Sequence, residues 1–343
     1  MNSRFRISCV AALAAGVTLA AAGCTGSPAP SPSSSAAAGA GLPAVPGIVK
    51  ALEPSVVTIR TSIGLGSGVV YKADGVIVTD AHVVEDKNKL PFKTVQVQFA
   101  DGSQVSASVV GVDDVFDVAV IRATRSNLPA AKFSSSVPEV GALTVVLGSP
   151  LGLADTVTAG IVSALHRNMP ASAESPQGIT DLLQTDAPIS PGNSGGAAVN
   201  GNSEVIGLAE AYLPPSSGAV SIGFVTPSTT VTEVADQLLK NGTVKHALLG
   251  VVPSDISPQV AQQFNLSTTK GALVLDAPQG GPAASAGIQP GDIITAFAGT
   301  QINSALDLTA AIRQKEPGQK VEVVIQRGKN TKTFSVTLGK SGK

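Results

Sequence analysis

Short hydrophobic runs, each broken by Gly, Asp, Asn or Pro, follow one another between residues 56 and 225. The runs are rich in Val, Ile and Thr, which is typical of β-strands, and Ala73-Asp74-Gly75 and Asp101-Gly102 favour hairpin turns. This density of short strands predicts antiparallel barrels or sandwiches. The predicted strands are Val56–Thr61, Gly68–Tyr71, Val76–Thr79, Val95–Phe99, Val105–Val110, Val118–Arg122, Leu143–Leu147, Val157–Ser163, Glu204–Ala211 and Ser221–Val225.

Helical patterns occur before and after this strand-rich part. Residues 45–52 predict a short helix that Pro54 ends. After Pro227 the hydrophobic residues recur at helical spacing until Asn241-Gly242, with Ser228 as the expected N-cap. We expect this second helix to connect two domains, because residues 247–338 then mix strands with short helices.

The first 44 residues differ from the rest in composition. Arg4 and Arg6 precede an apolar stretch, which predicts a signal peptide over residues 1–23. Ala21-Ala22-Gly23-Cys24 resembles a bacterial lipobox, so Cys24 is the expected lipidation site; an ordinary cleaved signal and an uncleaved anchor remain alternatives. Residues 24–44, rich in Ser, Pro and Ala, predict a flexible tether. Each alternative predicts an extracytoplasmic protein that is anchored to the membrane or secreted.

Charge and cysteine content exclude several classes of protein. The chain has 23 Lys and Arg against 24 Asp and Glu, without a basic stripe, so nucleic acid is not an expected partner. Both cysteines, Cys9 and Cys24, lie in the leader region, so the folded part is expected to lack disulfides and cysteine metal sites. No phosphate-binding loop motif is present, and we expect neither a cofactor nor a metal.

The segment from Gln184 to Ala197 carries the strongest chemical signal, QTDAPISPGNSGGA. Its glycines predict a tight turn around Ser194, a candidate nucleophile. The turn Gly192-Asn193-Ser194 is the expected oxyanion hole, with the N–H groups of Gly192 and Ser194 pointing into one pocket.

A serine nucleophile needs a histidine base, and the chain has three histidines, His82, His166 and His246. The string also fits the G-x-S-x-G elbow of α/β-hydrolases, which would require His246, but no alternating strand and helix pattern precedes Ser194. The order His82, acid, Ser194 fits better. We expect His166 and His246 to be surface or packing residues.

The acidic partner of His82 has several candidates. Asp117 begins an apolar strand, which would bury it beside the imidazole. Asp113 and Asp114 precede it in a turn, and spacing alone does not exclude them. For Asp80, two residues before His82, we expect a solvated or capping role.

Three segments together resemble the catalytic boxes of the HtrA/DegP serine proteases, namely TDAHVV, DVAVI and TDAPISPGNSGG. The resemblance extends from about residue 45 to residue 338. It implies a mainly β fold, a chymotrypsin-like double β-barrel followed by an α+β PDZ domain. It also implies that His82 is the general base, Asp117 orients it and Ser194 attacks. Asp80 departs from the family, which usually has a neutral residue there, and its charge would raise the pKa of His82 if it faces the ring.

The resemblance implies two binding surfaces. Pro188 and Ile189, with Leu208 and Ala209 opposite, would line an apolar pocket for small or medium aliphatic side chains. The loop Leu248-Leu249-Gly250-Val251 would capture a peptide's C-terminal carboxylate on backbone N–H groups. Leu308 and Ile312 would either contact that peptide or belong to the core.

The expected protein is an extracytoplasmic, ATP-independent serine endopeptidase that degrades or processes unfolded or misfolded polypeptides. Its expected domains are a protease domain over residues 45–240 and a PDZ domain over residues 245–340 that binds peptide C-termini. The family resemblance implies a homotrimer. The alternative is a peptide-binding or chaperone module in which proteolysis is secondary.

Overall fold

The computed structural model describes residues 41–149, 156–169, 178–212, 221–263, 266 and 268–341. The expected signal peptide, the lipidation site Cys24 and the tether up to residue 40 lie outside the described residues. In the described part, no helix is both long and apolar enough to span a membrane.

Six antiparallel strands close the first barrel in the order β1-β2-β3-β6-β5-β4. The two expected hairpin turns join β2 to β3 and β4 to β5, and Gly75 and Gly102 at their ends have φ angles of 97° and 79°. Alternate side chains of these strands fill the barrel with Val and Ile. The strands are β1 Val56–Arg60, β2 Leu65–Lys72, β3 Val76–Thr79, β4 Thr94–Gln98, β5 Gln104–Asp113 and β6 Val118–Ala123.

The second barrel closes in the order β10-β11-β12-β9-β8-β7. Strand β8 is longer than expected. Its pairing with β9 shifts register at three points, which interrupts the alternation of buried and exposed side chains by which a sequence pattern identifies strands. Strand β10 is too short to give a pattern. The strands are β7 Leu143–Gly148, β8 Thr156–Met169, β9 Ile179–Thr185, β10 Ala197–Val199, β11 Val205–Tyr212 and β12 Gly223–Pro227.

Two α-helices pack on the barrels. Helix α1 spans Val45–Leu52, as expected, and helix α2 spans Ser228–Asn241 with Gly242 at φ 72° after its end. The expected N-cap Ser228 is wrong: Pro227 occupies that position, and the Ser228 hydroxyl donates to the backbone oxygen of Ser134 at 2.8 Å. Three short 3-10 helices complete this part, Leu42–Ala44, Glu53–Ser55 and Ala81–Val83.

The C-terminal part contains a six-stranded sheet, a separate strand pair and three helices. The sheet runs β14-β15-β16-β18-β19 with β17 beside β16, and β13 pairs with β20. Its core is formed by apolar side chains around Phe297 and Leu308. The fold class expected from the sequence is thus confirmed. The strands are β13 His246–Leu248, β14 Val252–Ser254, β15 Ala272–Asp276, β16 Ile293–Phe297, β17 Thr300–Gln301, β18 Lys320–Arg327, β19 Asn330–Thr337 and β20 Gly339–Ser341; the helices are α3 Pro258–Gln263, α4 Pro282–Ala286 and α5 Ala305–Arg313.

Candidate active site

His82 and Asp117 form a close pair in the first barrel. His82 lies in the 3-10 helix after β3, and its Nδ1 is 2.5 Å from Oδ2 of Asp117. The other oxygen, Oδ1, accepts the backbone N–H of His82 at 2.8 Å, and the backbone oxygen of Asp117 accepts the N–H of Ala81. Asp117 has a φ of 53°, a strained angle for a non-glycine residue, and strained residues cluster at functional sites. Two hydrogen bonds to the carboxylate and one to the backbone oxygen of Asp117 thus hold this residue against the imidazole.

The competing acids, Asp113 and Asp114, have other partners. Oδ1 of Asp113 lies 2.6 Å from Nε2 of His246, and its Oδ2 accepts the N–H of Phe116. Asp114 interacts with the buried carboxyl of Glu85. Asp113 therefore pairs with His246, and Asp117 is the acid that pairs with His82.

The loop around Ser194 packs against the strands that precede His82. The backbone oxygens of Gly192 and Ser194 are hydrogen-bonded to the hydroxyl and the N–H of Ser67, at 2.6 and 2.9 Å. Gly195 has a φ of 78°, and a Cβ atom there would collide with the Thr79 hydroxyl and with the Ser67 backbone. Glycine is therefore required at residue 195 to bring the loop this close to the first barrel.

The backbone N–H groups of this loop are unequal as oxyanion donors. The N–H of Asn193 donates to the backbone oxygen of Ser190 at 3.0 Å, which closes a turn with Gly192 at φ 98°. Asn193 therefore shapes the turn without offering a free donor. Gly192 and Ser194 remain the candidate donors, and both residues are half-buried at the surface of the site.

Glu210 is a site residue that the sequence reasoning missed. It lies in β11, is 4% exposed, and its backbone oxygen accepts the hydroxyl of Ser194 at 3.2 Å. Its carboxyl oxygen Oε1 is 3.9 Å from Nδ1 of His82, and the carboxyl group interacts with that of Asp117. One signal was available: Glu210 is the only charged residue in the otherwise apolar strand Val205–Tyr212.

The solvated or capping role expected for Asp80 is wrong. The residue is fully buried, makes no capping hydrogen bond, and neither carboxyl oxygen has a partner among the described residues. Burial raises the pKa of Asp80 well above its ordinary value. The charge of His82 lowers this pKa but does not outweigh burial, and the charge of Asp117 raises it further.

The pKa values of Asp117 and Glu210 are shifted in opposite directions. Burial raises the pKa of Asp117, but the charge and hydrogen bonds of His82 outweigh it and hold that pKa well below its usual range. Burial, followed by the charges of Asp117 and Asp80, raises the pKa of Glu210 well above its ordinary value. For His82, burial lowers the pKa, but the charge and hydrogen bond of Asp117 and the charge of Asp80 raise it to about 9.

Asp80, His82 and Glu210 each bring one possible metal-ligand atom within 4.8 Å of the others. In the described part of the chain no other such group occurs. However, Nδ1 of His82 is already bonded to Asp117, so a cation using that atom would break the pair. We assign no metal to these residues.

The expected substrate pocket needs one correction. Ile189 and Ala209 share a core cluster in the second barrel, and Pro188 is exposed beside them. Leu208 belongs to a different cluster with Val231 of α2, because successive side chains of a strand point to opposite faces. Leu208 is therefore a core residue and not part of the pocket wall.

The expected carboxylate loop borders a groove in the C-terminal part. The groove has a volume of about 260 Å³, and Leu248, Leu249, Gly250, Val251 and Ile312 are among its lining residues. It lies beside the short strand β14, which pairs with β15 and forms the end of the sheet order. Leu308 is fully buried in the core, whereas Ile312 is half-buried and lines the groove.

The C-terminal part also contacts both barrels directly. His246 of β13 is 10% exposed and bonds Asp113 at the end of β5. Arg313, the last residue of α5, donates to the backbone oxygen of Gly178 and to the Thr180 hydroxyl at 3.3 and 3.1 Å. His246 is thus a buried contact residue, while His166 is largely exposed and pairs with Asp181 at 2.5 Å.

Comparison with protein families agrees with this architecture. Residues 66–208 match the trypsin-like peptidase domain, and residues 247–338 match the PDZ domain. The solved structure of the HtrA-type protease AlgW with a tripeptide has a TM-score of 0.67 and 30% sequence identity. That match covers 86% of this chain and 97% of the other.

Curated relatives are similar over most of this chain but are longer. The periplasmic pH-dependent serine endoprotease DegQ of Escherichia coli K12 is 38% identical over 281 residues, 81% of this chain and 60% of that protein. A probable periplasmic DegP-like serine endoprotease of Chlamydia trachomatis is 38% identical over 274 residues, 80% of this chain and 53% of that protein. The chain thus spans little more than half the length of these relatives.

Proposed function

Since the chain belongs to the HtrA-type serine proteases, we propose that it is an ATP-independent serine endopeptidase that acts on unfolded or misfolded polypeptides outside the cytoplasmic membrane. In this proposal His82 is the general base and acid, Asp117 orients it and Ser194 is the nucleophile. The protease domain comprises residues 45–240 and the PDZ domain residues 245–340.

One observation carries the assignment. Nδ1 of His82 lies 2.5 Å from Asp117, and Asp117 also accepts the backbone N–H of His82. Such a pair holds the ring in the tautomer whose Nε2 accepts a proton, which is the requirement for activating a serine. The Ser194 hydroxyl is bonded to Glu210, whose carboxyl group reaches the same pair.

The reaction follows from this arrangement. Nε2 of His82 takes the proton of Ser194 as Oγ attacks the peptide carbonyl, and the negative charge of Asp117 stabilises the imidazolium that forms. The N–H groups of Gly192 and Ser194 stabilise the oxyanion, each contributing about 3 kcal/mol. His82 then protonates the leaving amine, and water releases the acyl group from Ser194 by the same steps.

The groove beside β14 supports binding of peptide C-termini. Gly250, with a φ of 75°, lies in the turn between β13 and β14, and the backbone oxygen of Leu249 anchors this turn by accepting the N–H of Ala283 at 2.9 Å. A peptide that pairs with the edge of β14 brings its carboxylate to the N–H groups of this turn. Peptides in solved relatives support this role, since AlgW structures carry a tripeptide or a decapeptide.

The periplasmic names of the relatives support an extracytoplasmic location. Membrane attachment through Cys24 and assembly into a homotrimer are further parts of the proposal. Intact-mass measurement of protein from the membrane fraction tests the lipid, with Cys24→Ser as its control. Light scattering of the soluble form tests the trimer.

Proteolysis is tested with casein and a fluorophosphonate probe. We expect the wild-type protein to degrade casein and to carry the probe on the peptide that contains Ser194, and Ser194→Ala to do neither. Equal casein loss in both proteins would contradict the proposal. Protection of a denatured client from aggregation without cleavage by the wild type would favour the alternative chaperone role.

A further inference from the structure

Two buried carboxyl groups lie at the same nitrogen of His82. They belong to Asp117 and Glu210, which are 6% and 4% exposed, and their Oδ2 and Oε1 atoms are 2.5 and 3.9 Å from Nδ1 of His82. Two ionised carboxylates only accept hydrogen bonds and repel each other, whereas a single proton lets the neutral group donate to the ionised one. A pair that shares one proton in this way holds a proton that the reaction steps at Ser194 do not use.

The neighbouring donors indicate which residue carries that proton. Asp117 accepts two N–H groups of His82, at 2.8 and 2.5 Å, and both bonds favour a carboxylate. Among the described residues, the hydroxyl donor to the carboxyl group of Glu210 is that of Thr226 at 3.5 Å. Oε1 of Glu210 is 3.9 Å from Nδ1 of His82, beyond hydrogen-bonding distance. The negative charge thus belongs to Asp117 and the proton to Glu210. Burial, followed by the charges of Asp117 and Asp80, raises the pKa of Glu210, which agrees with a protonated carboxyl group.

We propose that Glu210 is a positioning residue of the triad, whose neutral carboxyl group donates a hydrogen bond to Asp117 and fixes that carboxylate against His82. Its effect on catalysis rests on the proposed function, while its protonation is measurable in an inactive protein. Residue 210 then touches both ends of the triad, since its backbone oxygen holds the hydroxyl of Ser194.

The other titratable groups around Glu210 are two carboxyl groups and one imidazole. Asp80 lies after β3, Asp117 before β6, and His82 in the 3-10 helix between β3 and β4. Lys89 is the cation that acts on His82. Keeping Glu210 neutral prevents a second negative charge from forming beside Asp117, where repulsion would displace the carboxylate.

The kinetic test compares two replacements of similar size. Glu210→Gln keeps a donor without an ionisable proton, and Glu210→Met removes the donor. We expect kcat for a peptide substrate to stay near the wild-type value in Glu210→Gln and to fall about tenfold or more in Glu210→Met, with KM unchanged. Equal activity of both variants, with folding verified by circular dichroism, would overturn the positioning role.

The protonation test needs no activity and uses the Ser194→Ala background, which also prevents self-digestion. The ordinary pKa of Glu is 4.5, so above that pH residue 210 ionises in the unfolded chain. If it stays protonated in the folded protein, each further rise in pH stabilises the unfolded state relative to the folded state. The unfolding equilibrium constant of the protein with Glu210 should therefore rise about tenfold per pH unit relative to Glu210→Gln. Urea unfolding between about pH 5 and 8 measures this ratio.

The outcomes separate this inference from the proposed function. A ratio that does not change with pH would overturn the protonated Glu210. A pH-dependent ratio in a protein that fluorophosphonate does not label would overturn the catalytic role alone. A ratio that instead falls as pH rises, and that EDTA abolishes and Zn²⁺ restores, would mean that a bound cation neutralises the acids in place of the proton, and the inference fails.

Discussion

The Ser194 hydroxyl donates its hydrogen bond to the backbone oxygen of Glu210, 3.2 Å away. A hydroxyl carries one proton, so in this arrangement it does not also donate to Nε2 of His82. In the proposed mechanism this proton has to leave the Glu210 oxygen before Nε2 of His82 accepts it. His82 and Asp117 are already paired in the structure, so the step that the proposal adds is a rotation of the Ser194 hydroxyl.

Replacing the acid of the proposed triad, Asp117, and its neighbour Asp114 distinguishes these two aspartates. We expect Asp117→Asn to lower kcat by about 10⁴-fold, because an amide in place of the carboxylate stabilises the wrong tautomer of His82. Asp114→Asn, which alters an acid that faces Glu85, is the matched control and should retain activity. Steady-state cleavage of a peptide substrate measures both, and equal losses would contradict the assignment of Asp117.

The pH dependence of cleavage follows from the raised pKa of His82. The imidazole must be neutral to accept the serine proton, and its pKa is about 9, so kcat/KM should rise with pH until about that value. Asp80→Asn removes a carboxyl group whose charge, where it is ionised, raises this pKa. Its profile should therefore shift toward lower pH. A profile that stays in place or moves to higher pH would show that Asp80 does not act on the ring.

Leu308 and Ile312 of α5 should respond differently to truncation. Leu308 is fully buried, so Leu308→Ala should lower the free energy of unfolding by about 2–5 kcal/mol. Ile312 lines the groove, so Ile312→Ala should weaken binding of a peptide with a free C-terminal carboxylate and change stability less. Calorimetric titration and urea unfolding measure the two effects. An amidated form of the same peptide, which should bind weakly to every variant, is the control.

The contact between His246 and Asp113 should stabilise the C-terminal part against the barrels. His246→Ala leaves the carboxylate of Asp113 buried without its partner, and we expect a loss of about 3–5 kcal/mol. His166→Ala breaks an equally short but exposed pair and should cost less than about 1 kcal/mol. Thermal unfolding of both variants in the Ser194→Ala background checks this difference. Similar losses would show that the buried position of His246 is unimportant.

The sequence predicted most strands and the segments that carry the site, for identifiable reasons. Val118–Ala123 and Val76–Thr79 are short β-branched runs between turns, so local pattern defines them. The long strand β8 was recognised only in part, since irregular pairing with β9 breaks its alternation. Ser194 was found because its glycine turn is a local feature.

Environment explains the residues that were missed or misjudged. Asp80 and Glu210 lie 130 positions apart in the chain, and their shared buried site exists only after both barrels have formed. No local pattern reports that burial, so Asp80 was expected at the surface. Asp117 was separated from Asp113 only by geometry, because a distant histidine, His246, binds Asp113.

The closure of both barrels limits which segments of one molecule another molecule can cleave. A protease of this type cleaves a segment that enters its cleft in extended form, free of hydrogen bonds to neighbouring strands. Each barrel strand has a partner on both sides, so none can enter a second molecule's cleft without the barrel opening. While both barrels stay closed, the strands that position His82, Asp117 and Ser194 are therefore protected from cleavage by a second molecule, which leaves the connecting loops and the ends of the chain as the places for self-digestion.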